Sequence, residues 1–396
     1  MRSNIWVEFP TAIVPALIEG HHGASMKVRG KPTRTIWATG DTIEIIDQTE
    51  LPHAFVIRSL RSLEDASRAI AVMQVRGAPL IGATAGYGVW LAMREDASNE
   101  GLVTACATLR ATRPTAVNLR WALETMTAEL APLSPGERAH AARARADAIA
   151  DEDVAINRSI GIATLSLIRR LSNGRSAAAP FNVLTHCNAG WLATVDWGTA
   201  LAGVYAAHDA GVPIHVWVDE TRPRNQGAAL TAWELGQHGV PHTVIVDNAG
   251  GHLMQQGKID LVLVGTDRTT GAGDVVNKIG TYLKALAARD CGVPFYVAAP
   301  SPSIDWTVVE AMREIAIEER AACEVTTISG RTESGAIATV RLTPEGTRVF
   351  NPGFDVTPAR LVTGIITERG IAIASREGLA RLYPIEAATA TRTRPP

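Results

Sequence analysis

Phe181-Asn-Val-Leu-Thr-His-Cys187 and Leu261-Val-Leu-Val-Gly-Thr-Asp267 are short apolar runs, rich in branched side chains, and each stops at a residue able to do chemistry. Three more runs of this kind lie at 213–219, 241–247 and 294–300, with helix-like segments between them. Strand and helix in alternation predict a parallel sheet, because a crossover helix carries the chain back to the starting edge. Several of the runs are apolar throughout, as expected of strands covered by helices on both faces. In such a sheet, ligands bind beyond the carboxyl ends of the strands, so the residues that close successive strands converge on one small volume. Here those ends are Cys187-Asn188, Asp219-Glu-Thr-Arg222, Asp247-Asn248, Asp267-Arg268 and Ser301. A thiol and a carboxylate in that crevice point to acid–base work on a polar small molecule. The competing readings are that Asp219 and Asp247 cap the helices that follow, and that Cys187 is a small buried hydrophobe. His186 is expected to face away from Cys187 if the strand continues that far, which disfavours a Cys/His pair.

Upstream of 181 the pattern is helical. Residues 33–48 first read as a β-hairpin around Thr39-Gly40-Asp41. Ser62 then caps a helix with Asp65 at its third position and Ala66, Ala69, Ile70 and Met73 as its apolar stripe. A break falls at Arg76-Gly77, Pro79 opens a second helix to about Met93, and alanine-rich helices continue to about residue 172. Asn173-Gly-Arg-Ser-Ala-Ala-Ala-Pro180 reads as a linker. The expected organisation is a smaller, mainly helical N-terminal domain with a hairpin at 26–175 and an α/β parallel-sheet domain at 176–386. Residues 1–25 read as an extension, with Met26 a candidate initiator, and 387–396 as a disordered tail.

Composition narrows the partners. The chain has 396 residues, 46% of them hydrophobic, and a formal net charge of −2, so it lacks the basic footprint that binding to nucleic acid demands. No run reaches the roughly 18 apolar residues needed to span a bilayer, and Arg2, Glu8, Pro10 and Pro15 interrupt any signal-like stretch. Cys106, Cys187, Cys291 and Cys323 are scattered without metal-ligand or disulfide spacing, which favours a reducing cytoplasm and no metal. Helix starts after Arg76-Gly77-Ala78-Pro79 and Arg113-Pro-Thr-Ala-Val-Asn118, with Asn277-Lys278 as a third candidate, read as phosphate cradles. There a helix's free N–H groups, its dipole and a neighbouring cation act together. Each taken alone also reads as a capped helix with a solvated charge. No GxGxxG follows a strand and no GxxxxGK[ST] occurs, so no dinucleotide or nucleoside triphosphate is expected.

Seven ordered motifs spread over residues 27–385 carry a resemblance. They are Val75-Arg-Gly-Ala-Pro-Leu-Ile-Gly82, Arg113-Pro-Thr-Ala-Val-Asn-Leu119, Thr185-His-Cys-Asn-Ala-Gly190, Glu220-Thr-Arg-Pro223 with Gln226-Gly227, Gly265-Thr-Asp-Arg268, Gly273-Asp-Val-Val-Asn-Lys-Ile-Gly-Thr281 and Phe354-Asp-Val-Thr-Pro358. Together they resemble the methylthioribose-1-phosphate isomerase family. The resemblance implies a homodimeric, cytoplasmic aldose–ketose isomerase of methionine salvage. It would convert 5-methylthioribose 1-phosphate to 5-methylthioribulose 1-phosphate with no cofactor, on a Rossmann-like C-terminal domain. Position by position, it implies Cys187 and Asp267 as the catalytic pair and Arg76, Gly77, Ala78, Arg113, Gln226, Asn277 and Lys278 as substrate-binding residues. Trp191 stands where many members carry a small residue, and is expected near the pocket, where it would reshape the surroundings of the sugar's C5. Isomerisation of 5-deoxyribose 1-phosphate or ribose 1,5-bisphosphate is the alternative. A non-catalytic regulatory subunit of a translation-initiation nucleotide-exchange complex, which lacks the pair, is a more distant one.

A sugar phosphorylated at C1 cannot open to a free aldehyde, so the enzyme must assist ring opening. The expected roles are Asp267 as general acid toward the ring oxygen and Cys187 at C2, in a proton transfer or lining a hydride shift. A thiol beside a carboxylate and a phosphate resists ionisation, which favours the hydride shift.

Overall fold

The structure, a computed structural model, describes residues 26–173 and 179–392; the expected extension at 1–25 lies outside the described residues. The described residues open with a short pair, β1 (Lys27–Val28) and β2 (Lys31–Pro32). It continues into an antiparallel sheet of β3 (Ile36–Thr39), β4 (Thr42–Ile46) and β5 (Ile57–Leu60). The expected hairpin is β3–β4, with Thr39 opposite Thr42. Strand β5 escaped the sequence because three of its four residues are exposed on an edge, leaving no apolar alternation to read.

Five helices follow: α1 (Leu63–Ala71), α2 (Ala78–Glu95), α3 (Asn99–Thr112), α4 (Val117–Leu130) and α5 (Pro135–Ser172). Ser62 accepts the N–H of Asp65 at 3.2 Å and starts α1 as expected. Helix α2 is buried on every side, from Leu80 to Met93, and forms the centre of the helical core. Helix α5 serves two cores. Ala142, Ala146 and Ile149 pack with α2 and α4, whereas Ile160, Leu167 and Ile168 pack on the parallel sheet.

The sheet strands are β6 (Phe181–Thr185), β7 (Ile214–Asp219), β8 (His242–Ile245) and β9 (Leu261–Val264), then β12 (Phe295–Ala298), β17 (Gly364–Thr367) and β18 (Gly370–Ala372). They run in the order β18-β17-β12-β9-β6-β7-β8, all parallel except β18. All five expected runs are strands. The chain lays β7 and β8 on one side of β6 and then returns to place β9 on the other, so the winding reverses between β6 and β9. The crevice beyond that reversal is where such sheets bind ligands. A second sheet, not legible in the sequence, grows from the end of β9. It contains β10 (Arg268–Thr270), β11 (Val275–Lys278), β13 (Ile304–Asp305) and β16 (Phe354–Thr357), in the order β13-β10-β11-β16. Strands β14 (Thr327–Arg331) and β15 (Ile337–Arg341) form a separate hairpin. The remaining helices are α6 (Ala200–Asp209), α7 (Ala232–His238), α8 (Ala249–Gln255), α9 (Thr281–Cys291), α10 (Ala311–Glu314), α11 (Cys323–Thr326), α12 (Arg376–Leu382) and α13 (Pro384–Arg392). The tail expected to fray from Ala387 instead continues α13 to Arg392, and 393–396 lie outside the described residues. No helix among the described residues is long and apolar enough to cross a membrane.

Where α5 passes from one core to the other it buries Asp153, which accepts from the N–H of Val195 at 2.7 Å and from Asn157 Nδ2 at 2.9 Å. Burial pushes its carboxyl from 3.8 up to about 7. The native state therefore holds a proton that the unfolded chain has already released. Its contribution to stability is present below pH 4 and lost as the pH rises through about 7. Melting temperatures measured from pH 5 to 8 should fall less steeply in Asp153→Asn than in the parent; parallel curves would assign the slope to other groups.

Candidate active site

The two residues that could do chemistry stand on the two strands that flank the reversal. Strand β6 ends at Thr185, and Cys187 follows at φ +66°, a left-handed backbone that a non-glycine residue adopts at a cost of about 1–3 kcal/mol. Two hydroxyls hold it there. Thr221 Oγ1 accepts from the Cys187 N–H, and Thr231 Oγ1 donates to its carbonyl, both at 2.8 Å. Thr231 closes a π-helical turn, Gly227–Thr231, a rare geometry that recurs at functional sites. Across the reversal, Gly265-Thr266 lead from β9 to Asp267, whose N–H donates to the Val276 carbonyl of β11 at 3.0 Å. Protein packs densely around Asp267, yet part of its surface opens to the cavity.

All nine residues expected from the sequence line this cavity. Gly77 and Ala78 form the start of α2, where no side chain caps the helix, so its N–H groups and positive dipole end face the cavity. Gly77 sits at φ +94°, and a Cβ there would lie 2.4 Å from the Ala193 carbonyl oxygen, so only glycine fits. Arg76 bridges to Asn188, donating to its side-chain oxygen at 2.5 Å and to its carbonyl at 2.7 Å. Arg113 pairs with Glu318 at 3.0 Å but leaves its Nε without a partner, and Gln226 likewise leaves Oε1 unpaired among the described residues. Asn277 and Lys278 reach the cavity from β11. Lys278 Nζ donates to the Gly353 carbonyl at 2.9 Å and lies 4.7 Å from the Phe354 ring centre.

Burial sets the ionisation of the three central groups. It pushes the Asp267 carboxyl above the ordinary carboxylate range, against the pull of Lys278, Arg113 and Arg76. It pushes the Cys187 thiol up as well, against the pull of Arg76 and Lys278. The same burial pulls the Lys278 ammonium down, while Cys187 and Asp267 hold it up. The site thus combines a carboxyl disposed to keep its proton, a thiol that stays protonated and a ring of cations.

Several expectations need correction. Asn277-Lys278 do not open a phosphate cradle at α9. Asp355 already accepts the N–H groups of Gly280 at 2.7 Å and Tyr282 at 3.2 Å at that helix start. Trp191 does not reach the cavity; it is buried in the core against Trp233, with ring centres 6.1 Å apart. Asp219 and Asp247 neither cap helices nor line the cavity. Asp219 bonds His186 Nδ1 at 2.8 Å, and Asp247 accepts the N–H groups of Thr221 and Arg222 at 2.8 Å. His186 also meets the Ile279 carbonyl through Nε2 at 2.8 Å, so both ring nitrogens are engaged away from Cys187. His186, Asp219 and Asp247 bring three ligand-type atoms within 4.8 Å of one another. The Lys284 ammonium, 3.2 Å from Asp219, already fills the cation's place there.

Met73, Ile81, Phe354 and Arg320 also line the cavity. Phe354 stands in a quoted motif. Met73 belongs to the apolar stripe expected of α1 but lies just past the helix, at φ +64°, and nothing local marks Arg320 in a charged surface segment. All three nitrogens of Arg320 donate to Glu318 or Glu324 at 2.7–3.1 Å.

Comparison with known proteins finds relatives over most of the chain. A model of the initiation factor 2 subunit family matches residues 74–373. The methylthioribose-1-phosphate isomerase of Rhodospirillum rubrum is 64% identical over 91% of this chain and 94% of its own. That of Methylocella silvestris is 63% identical over 90% and 98%. Among solved structures, the 5-methylthioribose 1-phosphate isomerase of Pyrococcus horikoshii is 39% identical over 90% of this chain and 97% of its own, with a TM-score of 0.77. The translation initiation factor eIF-2B subunit delta of A. fulgidus is 37% identical over 89% and 100%, with a TM-score of 0.73.

Proposed function

The chain belongs to the methylthioribose-1-phosphate isomerases, within the initiation factor 2 subunit family, and from that premise we propose that its cavity converts 5-methylthioribose 1-phosphate to 5-methylthioribulose 1-phosphate. The observation that carries this reading is the pairing of Cys187 with Asp267 across the sheet's winding reversal, in a cavity ringed by Arg76, Arg113 and Lys278. The phosphate binds at the open start of α2, where it accepts from the free N–H groups of the helix and from the unpaired Nε of Arg113, with Gln226 and Asn277 lining the same cavity. Met73, Ile81 and Phe354 supply an apolar wall suited to a methylthio group.

Asp267 gives its proton to the ring oxygen as the bond from C1 to that oxygen breaks. In the hydride route, hydrogen then moves with its electron pair from C2 to C1, and the C2 hydroxyl returns a proton to the Asp267 carboxylate as the ketone forms. Cys187, held as a thiol, lines that path. In the alternative proton route, a base removes the C2 proton and C1 is reprotonated through an enol phosphate. Turnover of the sugar phosphate in deuterium oxide, followed by NMR, separates the two. The expected product carries no deuterium at C1, and deuterium there refutes the hydride route. The likeness to the A. fulgidus initiation-factor subunit supports a second, non-catalytic reading, which absence of turnover on 5-methylthioribose 1-phosphate and 5-deoxyribose 1-phosphate would favour.

A further inference from the structure

Behind the cavity, Glu234 is completely buried in α7. Its Oε1 accepts from Asn188 Nδ2 and its Oε2 from the N–H of Leu192, both at 3.1 Å. The carboxyl lies so close to the turn after Cys187 that a Cβ on Gly190 would fall 1.3 Å from Oε1. Asn188 in turn receives the Arg76 guanidinium on its side-chain oxygen and its carbonyl. Arg76 has no carboxylate within 4.0 Å among the described residues, so Asn188 is what aims it.

The two ends of an asparagine amide have nearly the same shape, and only the partners decide which end points where. Thr231 spends its proton on the Cys187 carbonyl at 2.8 Å, so toward Asn188 Nδ2, 3.1 Å away, it can only accept. Glu234 Oε1 accepts from the same nitrogen. Two acceptors draw the NH2 end inward and leave the oxygen end for the guanidinium. With the amide reversed, Arg76 Nη1 would face a donor, and only the Asn188 carbonyl would still hold the guanidinium.

We propose that Glu234 is a positioning residue that fixes the Asn188 amide, and through it aims Arg76 at the anionic substrate in the cavity. The inference rests on the sugar-phosphate reading of the site for its kinetic consequence, though not for its geometry. Glu234→Gln keeps the volume but replaces one of the two fixed acceptors by an amide that can present either end, leaving Thr231 alone to bias Asn188. Its kcat/KM should fall roughly 10- to 100-fold, mostly through KM, because the lost element orients a binding group. Arg76→Ala should mask the defect, so that the double variant is no worse than Arg76→Ala alone. Asn188→Ala cuts the same link from the other side and serves if Glu234→Gln does not fold. Additive losses, or kcat/KM within about threefold of the parent in either variant, would overturn the proposal. If the parent turns over no sugar phosphate, the functional reading fails. A crystal structure of Glu234→Gln then decides alone: a displaced guanidinium supports the link, and an unmoved one refutes it.

Discussion

Asp267→Asn is expected to lower kcat by roughly 10²–10⁴ while leaving KM within a few-fold of the parent, since an amide fills the same space and donates a hydrogen bond but cannot surrender a proton. The effect should be large because nothing else in the mechanism opens the ring: the anomeric oxygen carries the phosphate. The pH dependence gives a second reading of the same residue. Burial raises the Asp267 carboxyl, so its acid form persists above the ordinary carboxylate range and disappears as the pH rises through the raised value. The parent's kcat should therefore fall on the alkaline side, and the residual activity of Asp267→Asn should lose that limb. Rate profiles from pH 5 to 9 check both. A variant that keeps parental kcat, or keeps the limb, would move the acid elsewhere.

Gly227→Ala is expected to unsettle the fold and the site together. A Cβ at Gly227 would lie 1.7 Å from the carbonyl oxygen of Asp219 and 3.0 Å from Thr221 Oγ1. The first of these is backbone at the end of β7 and cannot swing aside, so either the strand end or the π-helical turn must move. Overpacking of this kind costs about 1–3 kcal/mol and occasionally more. The movement also displaces Thr221, which accepts the Cys187 N–H, and the neighbouring Gln226. Activity should consequently fall further than stability alone explains. Gly236→Ala, in helix α7 nearby, meets only His242 at 3.8 Å and should be neutral or stabilising by up to about 1 kcal/mol. Calorimetry and kcat on the two variants make the comparison; equal melting temperatures would refute the steric argument.

The parallel sheet was readable because its central strands are covered on both faces and so appear as unbroken apolar runs, of which Leu261-Val-Leu-Val264 is the clearest. The catalytic candidates were readable because strand ends in such a sheet converge. That argument says which edge holds the site but not which polar ends reach it. Asp219 closes a strand as Asp267 does, yet it is fully buried against His186 and Lys284. The second sheet was hidden because β10 and β13 are only three and two residues long, too short for any period to register. Arg320 was hidden for another reason: it comes to the cavity from a distant segment, and its neighbours in sequence resemble any charged surface stretch. Trp191 was misplaced because adjacency to Cys187 in sequence says nothing about which way the next turn points; its ring went into the core.

Strands β6 and β9 are immediate neighbours, with Val183 opposite Leu261 and Leu184 opposite Val262. The thiol and the carboxyl thus stand just beyond the ends of two adjacent strands in fixed register, whereas Met73, Phe354 and Arg320 arrive on other parts of the chain. Chemistry and taste are therefore mounted on separate supports. Substitutions along the outer wall can exchange one sugar substituent for another without moving the reacting atoms, and a lineage can change its diet while keeping its bite.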